Sequence, residues 1–349
     1  PKGSPMAGIG NDYVLTSLSN CFVIAPTVDS YGGIMKTDQE QVQLMKRRGG
    51  VGHDLSNIRA IGSLANGMPL GNDTGVPLYM ERFSNSTREV AQDGRRGALM
   101  LSISINHPDA DKFIDKKMDT SKVTGANISV KLNDEFMSAV ENDEDYILKW
   151  PTTAKFTGLT GQFEYNKLYT STDDNDAEIY IKKIKAKELW DSIIECAWNT
   201  AEPGILFWDN ILDNDPASVY PEFKAVSTNP CGEIPLSPYD SCRLIASNLY
   251  NLVKYPFTEA AEIDEELAYK VFYEAQIIGD ILVDLEAEYI QRIIDITHGD
   301  EKELWMKIKI IGLKGRRTGV GLTGYADMCA ALGKNYGDEE LTDYIMKLK

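Results

Sequence analysis

Asn229-Pro230-Cys231-Gly232-Glu233 places an amide, a thiol and a carboxylate within five residues, and a second thiol follows at Cys242, 242 − 231 = 11 positions on. Pro230 and Gly232 are the residue types that most strongly interrupt regular structure, so the stretch reads as a bent loop that presents groups for chemistry. A thiol beside a carboxylate suggests a nucleophile, but nucleophilic cysteines usually have a histidine or another cation to lower the thiol pKa. None of the three histidines, His53, His107 and His298, is near in sequence, and Glu233 disfavours a thiolate. The pattern suits a thiol that works uncharged or as a radical. Zinc at Cys231 and Cys242 would need two further ligands, and no histidine has a matching spacing.

The loop needs a scaffold, and the chain supplies one. Cys21-Phe22-Val23-Ile24 opens an apolar run that reads as a buried strand, where Cys21 taken alone is a small buried hydrophobe. Asp38 and Gln41 form a capping box that predicts a helix starting there and closing at Gly49-Gly50. Gly49-Gly50-Val51-Gly52 reads equally as a tight turn or as a close approach of backbone to a ligand. Gly62 to Gly75, with Asn66, Gly67, Asn72 and Asp73, is a polar loop too long for a plain connector. A helix is predicted over 76–93, a buried strand over 98–105, a helix after Pro108, a loop over 118–125 and a strand over 127–132. Residues 157–176 read as a surface insertion, 187–200 as an amphipathic helix with Cys196 on its core side, and 205–208 as a strand. From about Asp264 to Thr297 apolar residues recur at steps of three and four, which predicts one long helix. Strands alternate with helices, so the fold class is α/β with parallel strands.

Gly319-Val320-Gly321-Leu322-Thr323-Gly324 matches the dinucleotide fingerprint letter for letter. It is rejected as such a site, because a helix rather than a strand precedes it and no acidic ribose ligand follows.

Composition narrows the function. The 349 residues are 43% hydrophobic and 26% charged, which is ordinary globular composition. A formal charge of −17 argues against a protein that holds nucleic acid by neutralising phosphates, although a few arginines and helix N-termini can bind small anions locally. There is no run of eighteen apolar residues and no signal-peptide core at the start, so no membrane partner and a cytoplasmic location are expected. Five scattered cysteines do not resemble a secreted disulfide framework.

Asn229 to Glu233, Cys242 and the upstream Ser19-Asn20-Cys21 together resemble the large, catalytic subunit of class I and II ribonucleotide reductases. The likeness extends through Gly50-Val51-Gly52, Asn57-Ile58-Arg59 and Gly315-Arg316-Arg317-Thr318-Gly319. It implies part of a ten-stranded α/β barrel of two parallel five-stranded halves, with a central finger loop carrying Cys231. Residues 1–228 would form the first half with its effector loops, and 229–349 the finger loop and the start of the second half. Cys231 would carry a thiyl radical that takes the 3′-hydrogen of the ribose. Glu233 would act as base on the 3′-hydroxyl, and Asn229 would orient the hydroxyls. Cys21 and Cys242 would supply two electrons and end as a disulfide. Ser4, Asn20 and Gly50 would contact substrate.

By the same likeness, Asp29, Ser30, Tyr31 and Arg59 would contact the specificity effector, a deoxynucleoside triphosphate or ATP. A plain surface ion pair between Asp29 and Arg59 is the other reading. The loops at 62–75 and 118–125 would report effector identity to the substrate site. Asn66 stands where some relatives have a phosphate-binding arginine. The short Cys231 to Cys242 spacing and Gly49 to Asp54 resemble the adenosylcobalamin-dependent members more than those with a radical-generating metal subunit.

The later barrel half, with its phosphate-binding loop, is expected beyond Lys349, so a companion chain completing the barrel, a homodimer and a thioredoxin- or glutaredoxin-type reductant are the implied partners. A noncatalytic nucleotide-binding half of a split reductase, and a simple thiol–disulfide protein without nucleotide affinity, are the competing functions.

Overall fold

A computed structural model describes residues 3–11, 13–71, 74–90, 97–156 and 162–348. Two compact units emerge, Cys21–Asp240 on one hand and Pro1–Asn20 with Ser241–Lys349 on the other.

The first unit is built on five parallel strands, Cys21–Val23, Gly50–Asp54, Leu99–Ser104, Asn127–Leu132 and Gly204–Phe207, which lie side by side in chain order. Helices Tyr31–Met45, Val76–Glu89 and Ala110–Asp115 cross over between the first four strands, and Ala186–Thr200 leads into the fifth. Because parallel crossovers share one hand, a strand order that never reverses puts every crossover on the same face. A doubly wound sheet would reverse. The five parallel strands agree with the barrel half expected from the sequence.

The pleat separates two chemistries. Phe22, Val51, Leu99, Leu101, Ile103, Ile128, Val130 and Leu132 are buried on the helix side. His53 shares that side, where its Nε2 meets Gln41 Oε1 at 3.0 Å. The alternate positions, Cys21, Gly50, Gly52, Asp54, Ser102, Asn127, Ser129 and Lys131, are small or polar and, with Met100 as the one large apolar side chain among them, form the opposite face. An all-parallel sheet usually carries apolar residues on both faces. Here one face is reserved for something else.

Several elements differ from expectation. The helix expected from Asp38 starts at Tyr31, with the Ser30 hydroxyl accepting from Gly33 N at 3.0 Å. Asp38 sits inside that helix and pairs with Arg82 of the next one at 2.9 Å, so an ion pair between helices outweighs a local cap. The 62–75 loop contains a hairpin, Leu64–Ala65 against Met68–Pro69, turning on Asn66 and Gly67 at φ 51° and 75°. Asn72 and Asp73, and the predicted helix end at 91–96, lie outside the described residues; the helix itself spans Val76–Glu89.

The 157–176 insertion belongs to a three-stranded antiparallel sheet of Asp145–Trp150, Glu178–Lys185 and Leu168–Thr172, with 157–161 outside the described residues.

The second unit pairs strands Ser241–Asn248 and Thr318–Thr323 in parallel and covers them with the 32-residue helix Glu265–Ile296, which the Asp264 side chain caps. Gly319 to Gly324 is therefore a strand and its end, in keeping with its rejection as a dinucleotide loop. Glu286, fully buried on the long helix, accepts from Leu18 N, and the buried Arg243 donates to the Arg317 carbonyl at 3.2 Å.

Candidate active site

The Asn229–Glu233 stretch is the tip of a short hairpin. Ser227–Thr228 pairs antiparallel with Pro235–Leu236, and Asn229 closes the tip. Its N–H donates to Ile234 O at 3.2 Å, its Oδ1 accepts from Ile234 N at 3.0 Å, and its carbonyl accepts from Gly232 N at 3.0 Å. Gly232 has φ +85°, a conformation that costs glycine nothing and a side chain a good deal. Asn229 is fully buried, whereas Cys231 and Glu233 are exposed.

The small and polar sheet face is where this hairpin lies. A Cβ on Gly52 would stand 1.8 Å from Thr228 O, and one on Gly50 would stand 2.8 Å from Pro230 Cγ. Gly50–Asp54 is a strand, so Gly49 to Gly52 is not the tight turn; the close approach that Gly50 and Gly52 allow is that of the chain's own hairpin. Asn127 Nδ2 donates to Pro230 O at 2.9 Å and holds the tip.

With its backbone groups so engaged, the Asn229 amide is left pointing at two partners. Nδ2 donates to Glu233 Oε2 at 2.7 Å and to Cys21 Sγ at 3.6 Å. Burial pushes the Cys21 thiol up to about 11, against the pull of the Asn229 hydrogen bond and with Glu233 and Cys231 adding to the rise. Cys231 is also raised, first because neighbouring protein takes water from its sulfur despite its exposure, and then by the Glu233 charge. Both sulfurs are thus held as neutral thiols at neutral pH, with a carboxylate alongside and, among the described residues, no cation acting on either. The arrangement suits hydrogen-atom and proton transfer better than nucleophilic attack.

In the other unit, Ser4 N donates to Asn20 Oδ1 at 2.8 Å, and Asn20 N to Cys242 O at 3.4 Å. Cys242 is buried, and a Cβ on Gly319 would be 2.9 Å from its sulfur, so Gly319 makes room for this thiol. None of the five cysteines forms a disulfide.

Of the residues read as effector contacts, Asp29 and Arg59 meet directly. Arg59 Nε and Nη2 both lie 2.8 Å from Asp29 Oδ2, Arg59 N donates to Asp29 Oδ1 at 3.0 Å, and Nη1 donates to Leu64 O at 2.7 Å. This charge-assisted bond raises the Arg59 pKa further. Ser30 is spent on the helix cap, and Tyr31 is exposed beside it. The 118–125 segment is tied to helix Val76–Glu89, since Gly125 N donates to Ser84 Oγ at 2.8 Å and Arg88 Nη1 to Thr124 Oγ1 at 3.1 Å.

Asp54, Ser102, Lys131 and Ser227 escaped the sequence reading, although the alternation of Asn127, Ser129 and Lys131 with apolar neighbours marked a polar face. Among the described residues no group of three or more His, Cys, Asp and Glu side chains is placed to hold a metal, and no helix is long and apolar enough to cross a membrane.

Residues 19–348 match the family model described as the ribonucleotide reductase barrel domain, and the chain belongs to that family. Among its curated relatives is the vitamin B12-dependent ribonucleoside-diphosphate reductase of Thermoplasma acidophilum, 32% identical over 328 residues, which are 93% of this chain and 37% of that protein. The Mycobacterium tuberculosis protein of the same name is 27% identical, over 97% of this chain and 42% of its own. The ribonucleoside-diphosphate reductase large subunit of Arabidopsis thaliana is 27% identical, over 93% and 40%. The chain therefore spans about two fifths of the length of these relatives.

Proposed function

We propose that the protein reduces ribonucleoside diphosphates to 2′-deoxyribonucleotides by a thiyl-radical mechanism, with the observation that carries the reading being the buried Asn229 amide bridging Glu233 and Cys21 beside the exposed Cys231. In this reading Cys231, as a thiyl, takes the 3′-hydrogen of the ribose and later returns it. Glu233 accepts the proton of the 3′-hydroxyl, and Asn229 orients the hydroxyls. Cys21 and Cys242 provide two electrons and the proton with which the 2′-hydroxyl leaves as water, and they become a disulfide. The neutral state of the Cys21 thiol suits a proton donor. Ser4, Asn20 and Gly50 are the substrate contacts of this reading.

Asp29, Ser30, Tyr31 and Arg59 belong to a nucleoside triphosphate effector site, and the Asp29–Arg59 pair ties it to the Leu64–Pro69 hairpin. A thioredoxin- or glutaredoxin-type dithiol restores the cysteine pair, and the working enzyme is a dimer with a completed barrel. The names of two relatives favour adenosylcobalamin over a separate metal-bearing subunit, and an exposed Cys231 thiol fits a radical source that arrives from outside the sheet. When bound, that cofactor supplies the radical.

The test uses the full-length enzyme with a ribonucleoside diphosphate, a dithiol reductant and adenosylcobalamin. Deoxynucleotide formation that requires the cofactor, and a Glu233→Gln variant slowed about 10²- to 10⁴-fold in kcat, are the expected results. Turnover that needs a metal-containing subunit instead contradicts the cofactor assignment, and full activity of Glu233→Gln contradicts the role of the carboxylate.

A further inference from the structure

The root of the Cys231 hairpin rests on a buried ion pair. Strand register places Asp54 beside Ser102 and Ser104 beside Lys131, and the pleat turns the side chains of Asp54, Ser102 and Lys131 to the hairpin face. Lys131 Nζ lies 2.7 Å from Asp54 Oδ2, donates to Val226 O at 3.3 Å, and stands 4.6 Å above the Trp208 ring. All its directions are used. Asp54 in turn accepts from Ser56 N at 3.0 Å and from Ser102 Oγ at 2.9 Å, and Ser102 Oγ is 2.9 Å from Ser227 Oγ. The two side chains are 4% and 11% exposed.

A buried ion pair is a poor way to gain stability, because desolvation offsets most of the attraction. Its distinguishing property is direction. Lys131 grips Val226 and the serine pair grips Ser227, the two residues from which the hairpin rises towards Asn229 and Cys231. Gly52 and Gly50 leave the space into which the hairpin descends, but an empty space fixes no depth. The polar ties at Val226 and Ser227 do.

We propose that Lys131, held by Asp54, is a positioning residue that sets the depth and tilt of the Cys231 hairpin on the sheet. The proposal rests on the reading of Cys231 as the hydrogen-abstracting thiol. A shift at the root moves the tip, and misplacement of a reacting group by about 1 Å can cost on the order of 10²-fold in rate.

The test combines hydrogen exchange over residues 226–236 with steady-state kinetics in the full-length enzyme. In Lys131→Met the amides of Asn229, Gly232 and Ile234 are expected to exchange at least about tenfold faster while the strand amides keep their protection, and kcat falls at least about tenfold with KM within about twofold. Lys131→Arg, which keeps the cation, recovers most of both. Asp54→Asn with Lys131→Met leaves no unpaired charge; it is expected to fold normally and still show the loosened hairpin, which guards against simple misfolding of the single variant. Unchanged exchange in the hairpin, or acceleration spread evenly over the sheet, overturns the proposal whatever the activity. Failure of the thiyl reading shows separately, as full turnover by Cys231→Ala, and leaves the exchange result standing.

Discussion

Asn229 Nδ2 lies 3.6 Å from Cys21 Sγ, although 208 positions separate the two residues. The same amide nitrogen is 2.7 Å from Glu233 Oε2. One buried side chain thus addresses the sulfur expected to release a proton and the carboxylate expected to receive one.

That hydrogen bond pulls the Cys21 thiol down from where burial alone would put it. In Asn229→Ala the thiolate loses its donor, so the alkylation of Cys21 should titrate above its starting value of about 11. Mass-spectrometric alkylation rates across alkaline pH measure this. A midpoint that stays put or falls contradicts the assigned bond.

Gly52→Ala is expected to disturb the hairpin directly. The new Cβ would meet Thr228 O at 1.8 Å, so the strand and hairpin must part, at a cost of about 1–3 kcal/mol. Turnover should fall on the order of 10²-fold, more than the stability loss alone would cause. Gly321→Ala, whose nearest neighbour would be 3.8 Å away, serves as the control and should change neither thermal unfolding nor kcat.

Much of this scaffold was legible in the sequence. The long helix was expected from about 264 to 297 and spans Glu265–Ile296, because 32 residues of one apolar period outweigh any local ambiguity. The strand at 127–132 was equally plain. What stayed hidden depended on partners distant in the chain. Asp38 looks like a cap until Arg82 claims it, and the Gly32-Gly33 pair masks the true helix start behind Ser30. The Asn66-Gly67 turn carried a hairpin signal, but its strands have only two residues each. In the candidate site, residue types alone singled out the loop of Cys231, whereas Lys131 and Asp54 look like ordinary surface charges until register turns them inward.

His53 should make stability depend on pH. It is fully buried, and burial lowers its pKa to about 3 against the nearby Asp54 charge. Above about pH 6.5 it is neutral in both folded and unfolded chains. Between that value and about 3 the unfolded chain takes up a proton that the folded one refuses, so stability falls as pH falls, by up to about 1.4 kcal/mol per unit from this one group. His107 is lowered as well and adds to the slope. Denaturant unfolding between pH 7 and 5 should therefore show a shallower loss in His53→Gln than in the unsubstituted protein. An identical slope contradicts the buried neutral imidazole.

Arg59→Ala should release Leu64 O and Asp29 together. Loss of a charge-assisted bond of this kind corresponds to about tenfold or more in affinity, so deoxynucleoside triphosphate binding should weaken by at least that factor, with basal turnover within about twofold. Equilibrium binding of the effector measures it. Unaltered affinity would return the pair to the status of a surface ion pair.

The central claim is that Cys231 performs the hydrogen abstraction, and the measurement that addresses it most directly is single-turnover deoxynucleotide formation by Cys231→Ala in the otherwise complete enzyme. The substitution removes an exposed sulfur, so folding and effector binding should be retained while product formation, including the first turnover, is lost. Product formation by Cys231→Ala at the unsubstituted rate would contradict the account.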